Sequence, residues 1–173
     1  RVLFRSLVVA LAHTGIAGGA PRGRDENAAL HLARVPGVDV ILTGHQHQVF
    51  PGPAYARVEG VDVQKGTLNG VPAVMAGFWG SHLGQIDLTL TRDGSRFRVT
   101  EHKAGTVPIF RREQGRNIPL AQAKTTVVAA ASPEHEATLA YVRKPVGKTT
   151  VRLETYFSLI ADSPALQIIS EAQ

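Results

Sequence analysis

Cysteine is absent from the 173-residue chain. Disulfides, thiolate metal sites and a cysteine nucleophile are therefore excluded, and a metal here would need imidazole or oxygen donors. A cysteine-free chain fits an exported and a cytosolic protein equally well. Aromatic residues make up only 6%, and the nineteen Lys and Arg residues are scattered rather than gathered into a stripe. The interleaved basic and aromatic face of a nucleic-acid binder is not expected, so no nucleic-acid polymer is a partner. No apolar run approaches the roughly 20 residues that cross a bilayer, and no charged-then-apolar leader with a small-residue cleavage site is visible; no membrane partner is expected. A serine-centred nucleophile elbow and a Walker-type phosphate loop are also missing. Gly15, Gly18 and Gly19 follow an apolar run without forming a dinucleotide fingerprint.

The apolar fraction of 43% suffices for a packed core, and the length suits about one domain. A formal charge of +5 would mildly favour phosphorylated substrates. The chain does not read as complete. Arg1 to Ser6 (RVLFRS) make a poor lead-in to the strand that follows. They read as a translated adapter remnant, with an ordinary edge-strand extension as the alternative. Gln173 falls inside an expected helix.

Leu7 to Ala12 (LVVALA) is a continuous apolar run, the pattern of a strand covered on both faces, and it ends in His13. After a Gly-rich loop, Asp25 offers an N-cap for a helix over Glu26 to Arg34, stopped by Pro36-Gly37. Val38 to Thr43 is a second strand, ending in Gly44-His45-Gln46-His47. Strand, helix, strand predicts a parallel crossover, with polar ligands at the carboxyl ends of both strands. Asn69-Gly70 predicts a tight turn before a strand over Val71 to Met75. Asp93-Gly94 predicts a hairpin between Gly84–Thr91 and Phe97–Thr100. Val107 to Pro119 reads as an irregular link. Leu120 to Ala131 reads as one helix, and Ser132-Pro133 as the start of a second that runs to about Arg143. Val146 to Glu154 reads as a strand and Ser163 to Gln173 as a helix, with a domain boundary near Pro145.

The chemistry-bearing candidates are His13, His45 and His47. An isolated histidine at a strand end is usually capped or solvated. A Gly-His-x-His after one strand, beside a histidine after its crossover neighbour, points instead to a metal, because imidazole suits borderline divalent ions. In an extended loop His45 and His47 point in different directions, which suits two adjacent metals better than one chelate. His82, in Gly80-Ser81-His82-Leu83-Gly84, is a further candidate for contacting substrate from its loop. Phe78-Trp79 is expected to anchor that loop.

Four segments carry a resemblance: Ala12-His13-Thr14-Gly15, Glu26-Asn27-Ala28-Ala29, Val35-Pro36-Gly37-Val38-Asp39 and Thr43-Gly44-His45-Gln46-His47. Together they resemble the second half of a calcineurin-like metallophosphoesterase domain. Lys65 to Met75, Gly77 to Gly84 and Tyr156 to Gln173 narrow this. They are similar to the bifunctional 2′,3′-cyclic-nucleotide 2′-phosphodiesterase/3′-nucleotidases of the 5′-nucleotidase family. The resemblance implies an α/β fold in three parts. Residues 7–110 would be the C-terminal half of a metallophosphoesterase α/β sandwich, 111–145 a linker with helices, and 146–173 the beginning of the 5′-nucleotidase C-terminal α+β domain. It also implies two divalent metal ions (zinc, manganese or similar), with His13 and His45 on one and His47 on the other. The substrate would be a small nucleotide and the location periplasmic. The family's Asp-x-His, bridging-Asp and Asn-His-Glu motifs have no copy here. The chain is thus expected to be a fragment of a nucleotide-cleaving dinuclear-metal hydrolase, inactive and weakly metal-binding alone, with exposed sheet edges that promote aggregation. The alternatives are a 5′-nucleotidase or nucleotide-sugar hydrolase, a non-catalytic metal- or phosphate-binding module, and a structural domain with incidental histidines.

Overall fold

A computed structural model describes residues 7–94 and 96–173. The stretch read as an adapter remnant, Arg1 to Ser6, lies outside the described residues. The chain divides after Gln122 into two compact units, the second being Ala123–Gln173.

The first unit is built on a mixed sheet. Its strands are β1 (Val9–Ala12), β2 (Val40–Thr43), β3 (Val49–Phe50), β4 (Val61–Asp62), β5 (Thr67–Leu68) and β6 (Val71–Ala76), with the single helical turn α1 (Ala29–Leu32) between β1 and β2. The order across the sheet is β1-β2-β6-β5-β4, and β3 pairs with β6. β1, β2 and β6 are parallel, in the register Ala12↔Thr43↔Met75. That register sets the carboxyl ends of three strands side by side. The Asn69-Gly70 turn forms as its sequence dictates. Both residues have positive φ (46° and 83°) and join β5 to β6 with Leu68 opposite Val71.

Ile41, Phe50, Leu68 and Met75 are fully buried, and Ile16, Ala29, Leu30 and Tyr55 pack with them. Each large apolar side chain so buried contributes about 1.5–3 kcal/mol. A long hairpin of β7 (His82–Asp93) and β8 (Arg96–Pro108) lies against β6. Gly84 permits the approach, since a Cβ there would stand 3.0 Å from Val74 Cγ2. A second hairpin, β9 (Phe110–Glu113) and β10 (Arg116–Pro119), follows.

Several expectations are corrected. β1 is not covered on both faces: it sits at the sheet edge, and Leu11 is 80% exposed. The helix expected over 26–34 shrinks to one turn, because Asp25 does not cap it. Its carboxylate accepts the Arg22 N–H at 2.7 Å instead. The Thr14 hydroxyl takes the Ala28 N–H at 2.6 Å, and the Gly15 carbonyl takes the Ala29 N–H. The irregular link over 107–119 is largely strand. Gln114-Gly115, both at positive φ (47° and 78°), supply the turn that joins β9 to β10.

The second unit contains α2 (Thr125–Val142) and α3 (Pro164–Ala172). α2 is one continuous helix where two were expected. Ser132 does not cap a new helix; its hydroxyl donates to the Val128 carbonyl at 2.9 Å, one turn back, and Pro133 is carried inside the helix. α3 begins as read, with Ser163 Oγ accepting from the Leu166 N–H and Pro164 in the first turn. The strand expected over 146–154 is absent among the described residues. A strand needs a partner for its backbone groups, and this unit has only helices to offer. No helix among the described residues is long and apolar enough to cross a membrane.

Candidate metal centre

The parallel register decides which side chains meet. His13 follows β1 directly, His45 and His47 lie in the loop after β2, and Phe78 lies just past β6. All stand at the carboxyl edge of the sheet, where parallel α/β folds place their ligand sites. Backbone bonds tie the three loops together. Gly44 N–H donates to the Thr14 carbonyl at 3.2 Å, the Thr43 hydroxyl donates to the same carbonyl, and Gly77 N–H donates to the Gln48 carbonyl at 3.0 Å.

His13 and His45 come together. His13 Nε2 and His45 Nδ1 are 3.3 Å apart, with the rings nearly edge to face at 71°. Two imidazole nitrogens on one tetrahedral ion, each about 2.05 Å from it, would stand about 3.3 Å apart. The pair therefore fits a shared metal in both donor type and spacing. Glu26 Oε1 lies 3.4 Å from His45 Nε2, the ring nitrogen that faces away from His13. Glu26 is itself largely exposed, so this carboxylate is a loose neighbour of the ring rather than a locked partner.

His47 is exposed and turned elsewhere. Its ring stacks on Phe78 at 5.2 Å and 24°. Among the described residues, no group of three or more histidines, acids or cysteines converges as a metal cage. A catalytic zinc takes three protein ligands as a rule, so this donor set is right in kind and incomplete in number.

His82 opens β7, and its Nδ1 faces Ser81 Oγ at 2.9 Å, on the loop that carries Phe78. Trp79 does not anchor that loop as expected, being 94% exposed with its ring edge-on to Phe78. Reading the sequence also missed Glu26, Gln46 and Tyr55. Gln46 lies inside the histidine motif, and its Oε1 accepts from the Ile16 N–H at 2.7 Å and the Tyr55 hydroxyl at 3.0 Å. Burial raises the Tyr55 phenol above its ordinary 10.0 by desolvation. No local pattern marked Tyr55, because its partner is chosen by the fold.

A comparison with protein-family models finds no match. Curated relatives are nevertheless similar over almost the whole chain. The 2′,3′-cyclic-nucleotide 2′-phosphodiesterase/3′-nucleotidase of Salmonella typhimurium is 41% identical over 167 residues, covering 96% of this chain and 26% of that protein. The trifunctional nucleotide phosphoesterase protein YfkN of Bacillus subtilis is 40% identical over 168 residues, covering 96% of this chain and 11% of its own length. The crystal structure of the calcineurin-like phosphoesterase YfkN from Bacillus subtilis superposes with a TM-score of 0.70 at 39% identity, covering 80% of this chain and 40% of that one. The mixed α/β fold is thus that of part of a calcineurin-like phosphoesterase. The chain spans about a quarter of the length of the cyclic-nucleotide phosphodiesterase it matches in Salmonella.

Proposed function

We propose that this chain supplies the strand-end imidazole ligands of a dinuclear-metal phosphohydrolase acting on nucleotides, 2′,3′-cyclic and 3′-nucleotides first. The observation that carries the reading is the 3.3 Å approach of His13 Nε2 to His45 Nδ1 at the ends of adjacent parallel strands. In it, His13 and His45 hold one divalent ion and His47 holds the other. Bound metals of this kind supply a deprotonated water as nucleophile and neutralise phosphate oxygens. The chain's own residues prepare that chemistry. Glu26 places a carboxylate beside His45, the β1–β2 register brings His13 to it, and Phe78 holds the face of the His47 ring. The names of the relatives support the nucleotide class, and the resemblance to the family supports a periplasmic location.

The remaining ligands of two metal sites would come from outside the described residues. The 173-residue chain by itself then binds metal weakly and does not turn over substrate. The test compares a protein carrying this segment with its His45→Ala variant on 2′,3′-cyclic AMP, 3′-AMP and 5′-AMP. Loss of hydrolysis of the first two substrates supports the reading. Unchanged activity makes the histidines incidental. Activity confined to 5′-AMP makes the protein a 5′-nucleotidase.

A further inference from the structure

His45 and His47 share an unusual backbone state: both have positive φ, 68° and 56°. A side chain with a Cβ pays a steric penalty in this left-handed region, and two such residues flanking a single position persist only if their surroundings over-determine them. The residue between them is Gln46. Its N–H donates to the Gly44 carbonyl at 2.8 Å, drawing the chain tightly around His45. Its side chain turns inward, where Oε1 accepts from the Ile16 N–H and from the Tyr55 hydroxyl. A backbone N–H can only donate, so the acceptor must be the amide oxygen, and the Tyr55 hydroxyl must then be the second donor.

Both donors are buried in the core. Ile16 is 2% exposed and Tyr55 5%, and the Tyr55 ring packs edge-on against the fully buried Phe50 at 5.7 Å. Ile16 also lies three residues past His13, in the loop that leaves β1. The Gln46 amide therefore ties the loop bearing His45 and His47 to the loop bearing His13, and both to the core. Gly15 is shaped to the same contact, since a Cβ there would overlap Gln46 Cγ and Cδ.

We infer that Gln46, held by Tyr55, is the positioning residue that sets His45 and His47 in the left-handed turn and keeps His45 against His13. The inference rests on the metal reading of these histidines, and the experiment separates the two. Zn2+ is titrated into the 173-residue chain and into its Gln46→Ala, Gln46→Glu and Tyr55→Phe variants. The Cε1–H NMR signal of each histidine is followed, with His102 and His135 as references, and thermal midpoints are recorded without metal. In the unaltered chain, His13 and His45 signals move together on adding zinc. Gln46→Ala weakens that response, because the turn that presents His45 loses its tie to the Ile16 loop and the core. Tyr55→Phe, which keeps the ring and removes only the hydroxyl, weakens it less. Gln46→Glu retains the acceptor for both donors, so it keeps its zinc affinity while its thermal midpoint falls. A Gln46→Ala variant with lowered midpoint and unaltered zinc affinity overturns the inference and leaves Gln46 a purely structural part. If that variant does not fold, unaltered affinity in Tyr55→Phe overturns it equally. Because the chain alone binds metal weakly, zinc is carried to large excess; no coupled shift of His13 and His45 in the unaltered chain even there overturns the metal reading, and this inference with it.

Discussion

Replacing Gly15 by alanine isolates what the packing behind the histidines contributes. The added methyl overlaps Asn27 Oδ1 and the Cγ and Cδ atoms of Gln46. Gln46 cannot escape by moving its tip alone, because the overlapped atoms are the stem and carbonyl carbon of its amide. The amide must swing, and its oxygen then leaves the Ile16 N–H at 2.7 Å and the Tyr55 hydroxyl at 3.0 Å. Ile16 and Tyr55 are buried, so neither donor gains water in exchange, and the Tyr55 hydroxyl keeps only the Met75 sulfur at 3.8 Å, a weak acceptor. The Ile16 N–H left unpaired costs about 1–3 kcal/mol, and the Tyr55 hydroxyl loses its better acceptor. Crowding of a packed site adds about 1–3 kcal/mol. Against a total stability of roughly 5–15 kcal/mol this is a large loss.

The assay is urea unfolding followed by far-ultraviolet circular dichroism. Tryptophan fluorescence would be a poor reporter, because Trp79 is already 94% exposed in the folded state. Gly15→Ala should lower the unfolding midpoint with little change in slope. An unchanged midpoint would refute the reasoning, as would a Gly15→Ala structure with Gln46 still on the Ile16 N–H.

Four further outcomes follow from the same structure. Burial raises the Tyr55 phenol above 10.0, so folding favours its protonated form; that contribution is full below pH 10.0 and is lost as pH rises through the folded value. Tyr55→Phe should flatten this alkaline decline in unfolding free energy, and an unflattened profile assigns the decline to other groups. Trp79→Ala should change stability by no more than about 0.5 kcal/mol, and Trp79 emission in the unaltered chain should be that of a water-exposed indole, fully accessible to iodide quenching. Leu11→Lys, at an edge-strand site 80% exposed, should reduce self-association measured by light scattering; unaltered association would show that the β1 edge is not the sticky surface. Pro133→Ala, inside α2, restores a missing N–H donor and should stabilise that helix by up to about 3 kcal/mol, read as higher helical content on heating.

Much of the frame was legible in the order of residues. Two apolar runs separated by a loop and a segment with helical spacing predict neighbouring parallel strands, because parallel neighbours need a crossover connection of that length. The histidines then fall at strand ends by simple counting. Asn69-Gly70 and Asp93-Gly94 marked their turns because positive φ is a local property that few residues tolerate. Ser163-Pro164 marked the start of α3 for a similarly local reason.

What stayed hidden depended on competition between alternative hydrogen-bond partners, some near in sequence and some far. Asp25 had the chemistry of an N-cap, yet the Arg22 N–H claimed it, and the turn starts at Ala28, whose N–H goes to the Thr14 hydroxyl. Ser132 could have begun a helix, but its hydroxyl turned back to Val128 and the helix ran through. Val146 to Glu154 had the composition of a strand, and among the described residues its own unit offers no strand to pair with. At the site, the sequence by itself determined that His13, His45 and His47 would share one edge of the sheet. Only the tertiary structure decided that His45 faces His13 while His47 faces Phe78, and that Gln46 is tied to Ile16 and Tyr55. The reason is physical: strand register follows from local patterns of burial and turn, whereas the direction of an imidazole is set by partners that only the packed chain brings within 3–4 Å.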